Sequence, residues 1–134
     1  SLRARSVGLG SYSFDCHYVS RYCDSNGQVV KEGRVDIHQQ QPALKNVLME
    51  KPFVIPYDAM LPKAAEVTNL LVPVALSASH VRFNAVRMEP TWMILGHSAG
   101  VAAFLVAKTH NRTQDVDVNQ LQNILLAQQQ MLWP

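Results

Sequence analysis

PTWMILGHSAGVAAFLVAK, residues 90–108, is the stretch whose reading decides the fold. Between Thr91 and Ala107 there is no charged side chain, and the polar ones are only Thr91, His97 and Ser98. Pro90 suits the first turn of a helix, where its missing N–H would have had no acceptor. Gly96, Ala99, Gly100, Ala103 and Ala107 recur at helical spacing. They form a face with almost no side chain, which lets a strand or a second helix approach closely. Trp92, Leu95, Phe104 and Leu105 supply bulk on the other faces. A helix apolar all round is buried all round, so the pattern predicts an interior helix. A membrane span is the competing reading. The stretch sits at the short edge of the ~17–25 residues a span needs, and two glycines and a histidine interrupt it, so no membrane partnership is expected.

Upstream of this helix the chain reads as β-structure. Residues 7–14 (VGLGSYSF) alternate briefly among glycines and aromatics, and residues 18–23 and 28–31 flank DSNG. Asn26-Gly27 tolerates the positive φ of a tight hairpin turn. In residues 33–39, Val35 and Ile37 alternate with Arg34, Asp36 and His38, the pattern of a half-buried strand. Residues 53–57 (FVIPY) predict a short strand that Pro56 confines to an edge or an end. Residues 70–76 (LLVPVAL) form an apolar run typical of a strand covered on both faces, and Pro73 removes one ladder donor from it. Downstream, Asp117 can cap a last helix with Gln120 three residues on. Val118, Leu121, Ile124, Leu125 and Leu132 make its apolar stripe, with the glutamines facing water. The fold class is therefore α+β: an antiparallel, β-rich amino-terminal half, then an apolar strand and two helices.

Composition narrows the functions. Hydrophobic residues make up 48% of the 134 and charged residues only 16%, against about 25% charged in ordinary domains. So lightly charged a surface predicts that something else covers part of it. The net charge of +2 comes without a basic stripe interleaved with aromatics, so nucleic acid is not an expected partner. Cys16 and Cys23 lack the C-x-x-C spacing of a metal pair, and no metal site is expected. The chain opens on SLRARS, with no charged-then-apolar leader, and reads as a piece of a larger protein. That opening favours neither a cytoplasmic nor an exported parent.

Three motifs carry possible chemistry. GHSAG, residues 96–100, matches the G-x-S-x-G elbow of α/β-hydrolases with Ser98 as nucleophile. Such an enzyme needs an acid and then a histidine downstream. The sole downstream histidine, His110, lies about 18 Å farther along the axis if the intervening residues are helical. Without a base in reach Ser98 is an ordinary hydroxyl, and small residues for helix packing are the better reading. GLGSYS, residues 8–13, resembles the start of a dinucleotide fingerprint but lacks the third glycine and the following helix. SASHVRFNAVRMEPT, residues 77–91, brings small and polar residues to the amino end of the apolar helix. That end suits an electron-rich ligand atom, and Ser77, Ser79, His80, Asn84 and Arg87 can hydrogen-bond a polar ring edge. A plain connecting loop is the alternative.

The composite NLLVPVALSASHVRFNAVRMEPTWMILGHSAGVAAFLVAK, residues 69–108, resembles the carboxy-terminal signature of the FAD-dependent oxidoreductase family, whose members often carry a xanthan lyase label. SVGLGSYSFDCHYVSRY, residues 6–22, and IPYDAMLPK, residues 55–63, resemble that family's segments in the same order. The resemblance implies a Rossmann-like FAD domain with a β-rich domain covering the flavin. Residues 1–66 would belong to the covering, substrate-shaping domain and residues 67–134 to the FAD domain. It further implies that residues 77–91 lie against the isoalloxazine, with Ser77, Ser79, Arg87, Met88, Glu89, Pro90 and Thr91 as cofactor contacts. His80, together with Asp15 and His17 of a D-x-H segment, would serve substrate binding or proton transfer. The family's G-x-G-x-x-G segment, which holds the ADP half of FAD, is not in this sequence. FAD is thus expected in the parent protein and not retained by this chain alone. The expected partners are the FAD-binding amino-terminal portion and, without it, a second copy. A Ser98 esterase and a non-catalytic interaction domain are the alternative readings.

Overall fold

A computed structural model describes residues 2–12, 15, 16, 18, 20–32, 35, 36 and 52–134. Among the described residues, six short strands pair in three antiparallel couples, and three α-helices follow. β1 (Ser6–Gly10) pairs with β6 (Phe53–Pro56), with Gly8 opposite Ile55 and Gly10 opposite Phe53. β2 (Asp15–Cys16) pairs with β5 (Val35–Asp36), and β3 (Ser20–Cys23) with β4 (Val29–Glu32). The β3–β4 turn forms as its sequence predicts. Gly27 takes φ 77°, and the Asp24 carboxylate accepts from the Asn26 and Gln28 N–H groups, each at 2.9 Å. An aspartate that bonds the backbone ahead of it is the usual lock on such a loop.

The β1–β6 pair matters most, because the long helix packs on it. That helix, α2, spans Glu89–Thr109, after α1 (His80–Val86) and before α3 (Val118–Ala127). Thr91, Leu95, Ser98, Ala99, Ala102 and Leu105 are buried, a single stripe at helical spacing. Contact with β1 is close because Gly8 has no side chain: a Cβ there would stand 2.6 Å from Ile94 Cγ2. On the other side, α3 buries Val118, Leu121 and Leu125. Asp117 caps it by accepting from the Asn119 and Gln120 N–H groups. The core runs from Val7, Ile55 and Tyr57 through Met60 and Leu76 to Leu95, Leu105, Leu121 and Leu132, and so draws on both sides of residue 66. The 3-10 turn Thr113–Asp115 ties the preceding loop down. Thr113 N–H donates to the Thr68 carbonyl at 2.9 Å, and the Tyr57 hydroxyl donates to the Thr113 carbonyl at 2.8 Å.

Four expectations need correction. The apolar run 70–76 is not a strand. Its backbone makes isolated bonds, Val72 N–H to the Met60 carbonyl and Ser77 N–H to the Ala59 carbonyl. Pro73 cannot donate, and among the described residues no strand lies beside it to complete a ladder. Residues 77–91 are not all loop, since α1 occupies part of them, so the helices among the described residues number three rather than two. Nor is α2 buried all round: Met93 is 74% exposed and Phe104 62%. At 21 residues α2 also loses the length objection to a membrane span; its packed stripe on β1 and α3 is what argues for a helix of a folded domain. Finally, the glutamines do not all face water. Gln122 is buried and donates to the Ser6 carbonyl at 2.9 Å. Gln130 donates to the Val7 carbonyl and to Ser98 Oγ, both at 2.7 Å. Bulged strand carbonyls need donors, and these amides supply them.

Candidate functional site

Residues 77–91 acquire their shape from α1. Ser79 caps it: its hydroxyl accepts from the Arg82 N–H at 3.2 Å, satisfying one of the N–H groups that a helix start leaves open. His80 opens the helix and is exposed. One helical face carries His80, Asn84 and Arg87, linked in sequence. Asn84 Nδ2 donates to the His80 carbonyl at 3.0 Å, and Arg87 Nη1 donates to Asn84 Oδ1 at 2.8 Å. The Arg87 guanidinium also stands 5.7 Å over the Tyr12 ring, and that of Arg82 stands 4.2 Å over the Phe53 ring. Cation–π contacts of this kind hold a guanidinium in one place. α1 packs against β2, the strand of Asp15, which brings the elements of Asp15 and His80 together. His17 lies outside the described residues.

The start of α2 offers fewer donors than its position implies. Met88 is the N-cap residue, without a side-chain cap. Its carbonyl already takes the N–H groups of Thr91 (3.0 Å) and Trp92 (3.2 Å), and Pro90 has none to give. Of the four residues 88–91, Met88 and Glu89 keep an N–H for a ligand. Glu89 is an acidic residue in the first turn, well placed on the helix dipole but opposed to a second anion. The indole N–H of Trp92 is buried without an acceptor. Arg87 and the N–H groups of Met88 and Glu89 lie together at the junction of α1 and α2, and the enclosed Trp92 indole follows them in sequence. A Cβ on Gly8 would meet Ile94, and one on Gly10 would stand 2.5 Å from the Phe53 ring, so these glycines serve packing and form no phosphate cradle.

The hydrolase constellation does not assemble. Ser98 is fully buried and donates to the Val7 carbonyl at 2.6 Å while accepting from Gln130. His97, next to it in sequence, turns its two ring nitrogens to the side-chain oxygens of Gln130 and Gln128. His110 ends α2 in the left-handed conformation, φ 55°. No group of three or more metal-ligating side chains occurs among the described residues. Three residues that reading the sequence missed are Tyr12, Phe53 and Arg82. Their pairing joins positions far apart in the chain, and their only local sign was two arginines in a short polar stretch beside an aromatic strand.

The described residues make an α+β domain in which α1 and α2 pack beside small antiparallel strand pairs. The sequence profile of the family described as FAD dependent oxidoreductase matches residues 3–125, and the chain belongs to that family. No curated protein and no solved structure matches it.

Proposed function

We propose that this chain is the carboxy-terminal part of a larger FAD-dependent oxidoreductase, supplying the flavin-facing segment and strands of the covering domain, and that it is inactive alone. In this reading residues 1–66 belong to the covering domain and residues 67–134 to the FAD domain. One observation supports it: among the described residues, the outer face of α2 is unfilled. Gly96 and Gly100 have nothing within 4 Å of where a Cβ would stand, and Met93 and Phe104 are exposed beside them. Leu71 and Pro73 of the apolar run border this face at Gly100, and Leu70 and Val74 of the same run are exposed. A side-chain-poor helix face beside an apolar segment without a ladder is the pattern of an interface whose other half is a sheet.

In the parent, FAD would supply hydride or single-electron transfer. Arg87, with the N–H groups of Met88 and Glu89, would hold the ring edge. Ser77, Ser79, Pro90 and Thr91 would shape its surroundings. Asp15, His17 and His80 would bind substrate or carry protons on the side of the covering domain. The pyrophosphate contacts would come from the rest of the protein, so the isolated chain binds FAD weakly. Without that portion the open face of α2 is covered by a second copy of the chain.

The test is a titration of the purified chain with FAD, followed by absorbance and fluorescence, beside light scattering over a range of concentrations. Weak or absent flavin binding and a concentration-dependent mass are expected. Stoichiometric FAD binding by a monomer would overturn the proposal.

A further inference from the structure

We propose that the turn joining β3 to β4 is a site of spontaneous covalent modification, at which Asn26 converts to aspartate and isoaspartate and Asp24 sets the pace. Asn26 is the one asparagine in the chain that a glycine follows. Glycine has no side chain to crowd its nitrogen, so Gly27 N can reach the side-chain amide carbon of the residue before it. Both residues are exposed, and open space surrounds the position where a Gly27 side chain would start. Water therefore reaches the turn, and the reaction needs nothing else. Gly27 N attacks Asn26 Cγ, an N–C bond forms, the C–N bond of the side-chain amide breaks, and ammonia leaves with the proton of the Gly27 N–H. Water then opens the cyclic imide at either carbonyl, giving aspartate or, with one more atom in the main chain, isoaspartate. No atom is oxidised or reduced.

The fold restrains this reaction. The Gly27 N–H donates to the Asp24 carbonyl at 3.0 Å, so the attacking nitrogen is already engaged. The Asp24 carboxylate accepts from the N–H groups on either side of it, those of Asn26 and Gln28, each at 2.9 Å. A carboxylate so close opposes the loss of a proton from the nitrogen between them. The attack requires this set of bonds to loosen. Conversion then undoes the turn. The imide leaves Gly27 without an N–H to donate, and isoaspartate lengthens the loop between Cys23 and Val29, which pair across it. The modification is thus a one-way opening of the hairpin, timed by how often the Asp24 bonds break. The turn lies apart from the flavin reading, since none of its residues belongs to the proposed cofactor or substrate set.

The full chain, aged in mildly alkaline buffer, is the sample, and peptide mapping by mass spectrometry with isoaspartate detection is the readout. In the folded chain Asn26 should lose the mass of ammonia and then regain that of water, ahead of every other asparagine. Asp24→Ala should speed the conversion about two- to tenfold, the weight of one such bond, with circular dichroism confirming that the helices persist. The chain unfolded in urea should convert at least as fast as that variant. After conversion, the amide hydrogens of β3 and β4 should exchange faster than before. No product in the folded chain, an Asp24→Ala rate equal to that of the parent sequence, equal rates folded and unfolded, or unchanged exchange after conversion would each overturn the proposal.

Discussion

Two pairs of glycines in this molecule have opposite surroundings. Gly8 and Gly10, on β1, are glycine because there is no room for anything else: Ile94 occupies the space beside one and the Phe53 ring the space beside the other. Gly96 and Gly100, on α2, have open space where a side chain would stand. The first pair belongs to an interface completed by this chain. The second pair keeps a helix face bare, with no described residue within 4 Å of where a side chain would start. An absent side chain costs a helix about 0.8–1.0 kcal/mol per glycine relative to alanine, so a helix that carries two of them on one open face gives up stability without a return inside this domain. The β1 side of α2 is a finished core, and the outer side is open among the described residues.

The largest effect should come from attacking the finished side. Gly8→Val drives a branched side chain into Ile94 and should cost about 1–3 kcal/mol by overpacking, read as a lower urea midpoint; an unchanged midpoint would mean that α2 does not sit on β1 as described. Ser98→Ala should cost about 1–2 kcal/mol, because Gln130 loses an acceptor and a buried carbonyl loses one of its donors. The same variant should leave any esterase activity of the preparation unaltered, and a loss of that activity would restore the hydrolase reading.

Tyr57 offers a pH handle on the same finished core. Burial pushes its phenol up to about 12, so the neutral form is favoured by folding. The resulting stability is whole below the ordinary value near 10 and is lost as pH rises through about 12. Tyr57→Phe should remove about 1 kcal/mol through the missing bond to the Thr113 carbonyl and should flatten the alkaline part of the stability profile. Persistence of the alkaline loss in that variant would assign it to another group.

The smallest effect has the opposite sign. Gly100→Ala should raise the stability of the isolated chain by about 0.5–1 kcal/mol, since the added methyl meets nothing. Were the outer face closely packed in an assembly, the gain would vanish or reverse under assembling conditions. Denaturation at low and at high protein concentration separates the two, and so places the outer face on one side or the other of the comparison.

Much of the local structure was legible beforehand. Pro90 and the charge-free run announced α2, Asp117 announced the cap of α3, and Asn26-Gly27 announced the hairpin turn. These are short-range effects, set by what a residue does to its own backbone or to N–H groups two or three positions away. The candidate site was legible only in part. Residues 77–91 drew notice for their polar composition, but the capping of α1 by Ser79 and the chain from His80 through Asn84 to Arg87 hide within a stretch that reads as loop. The contacts of Arg82 with Phe53 and of Arg87 with Tyr12 had no local sign beyond the two arginines themselves, because they join the helix to segments from the other end of the sequence.

By itself the sequence determined α2, α3, the hairpin turn and the family, since periodicity, capping and the long composite signature all reside in local order. Tertiary structure alone decided which face of α2 is buried, that residues 70–76 have no ladder to join, and that Ser98 is spent on a strand carbonyl. The physical reason is that burial and hydrogen-bond satisfaction depend on what the fold brings alongside: identical small residues close one surface of a helix and leave the other bare according to whether a strand has come to meet them.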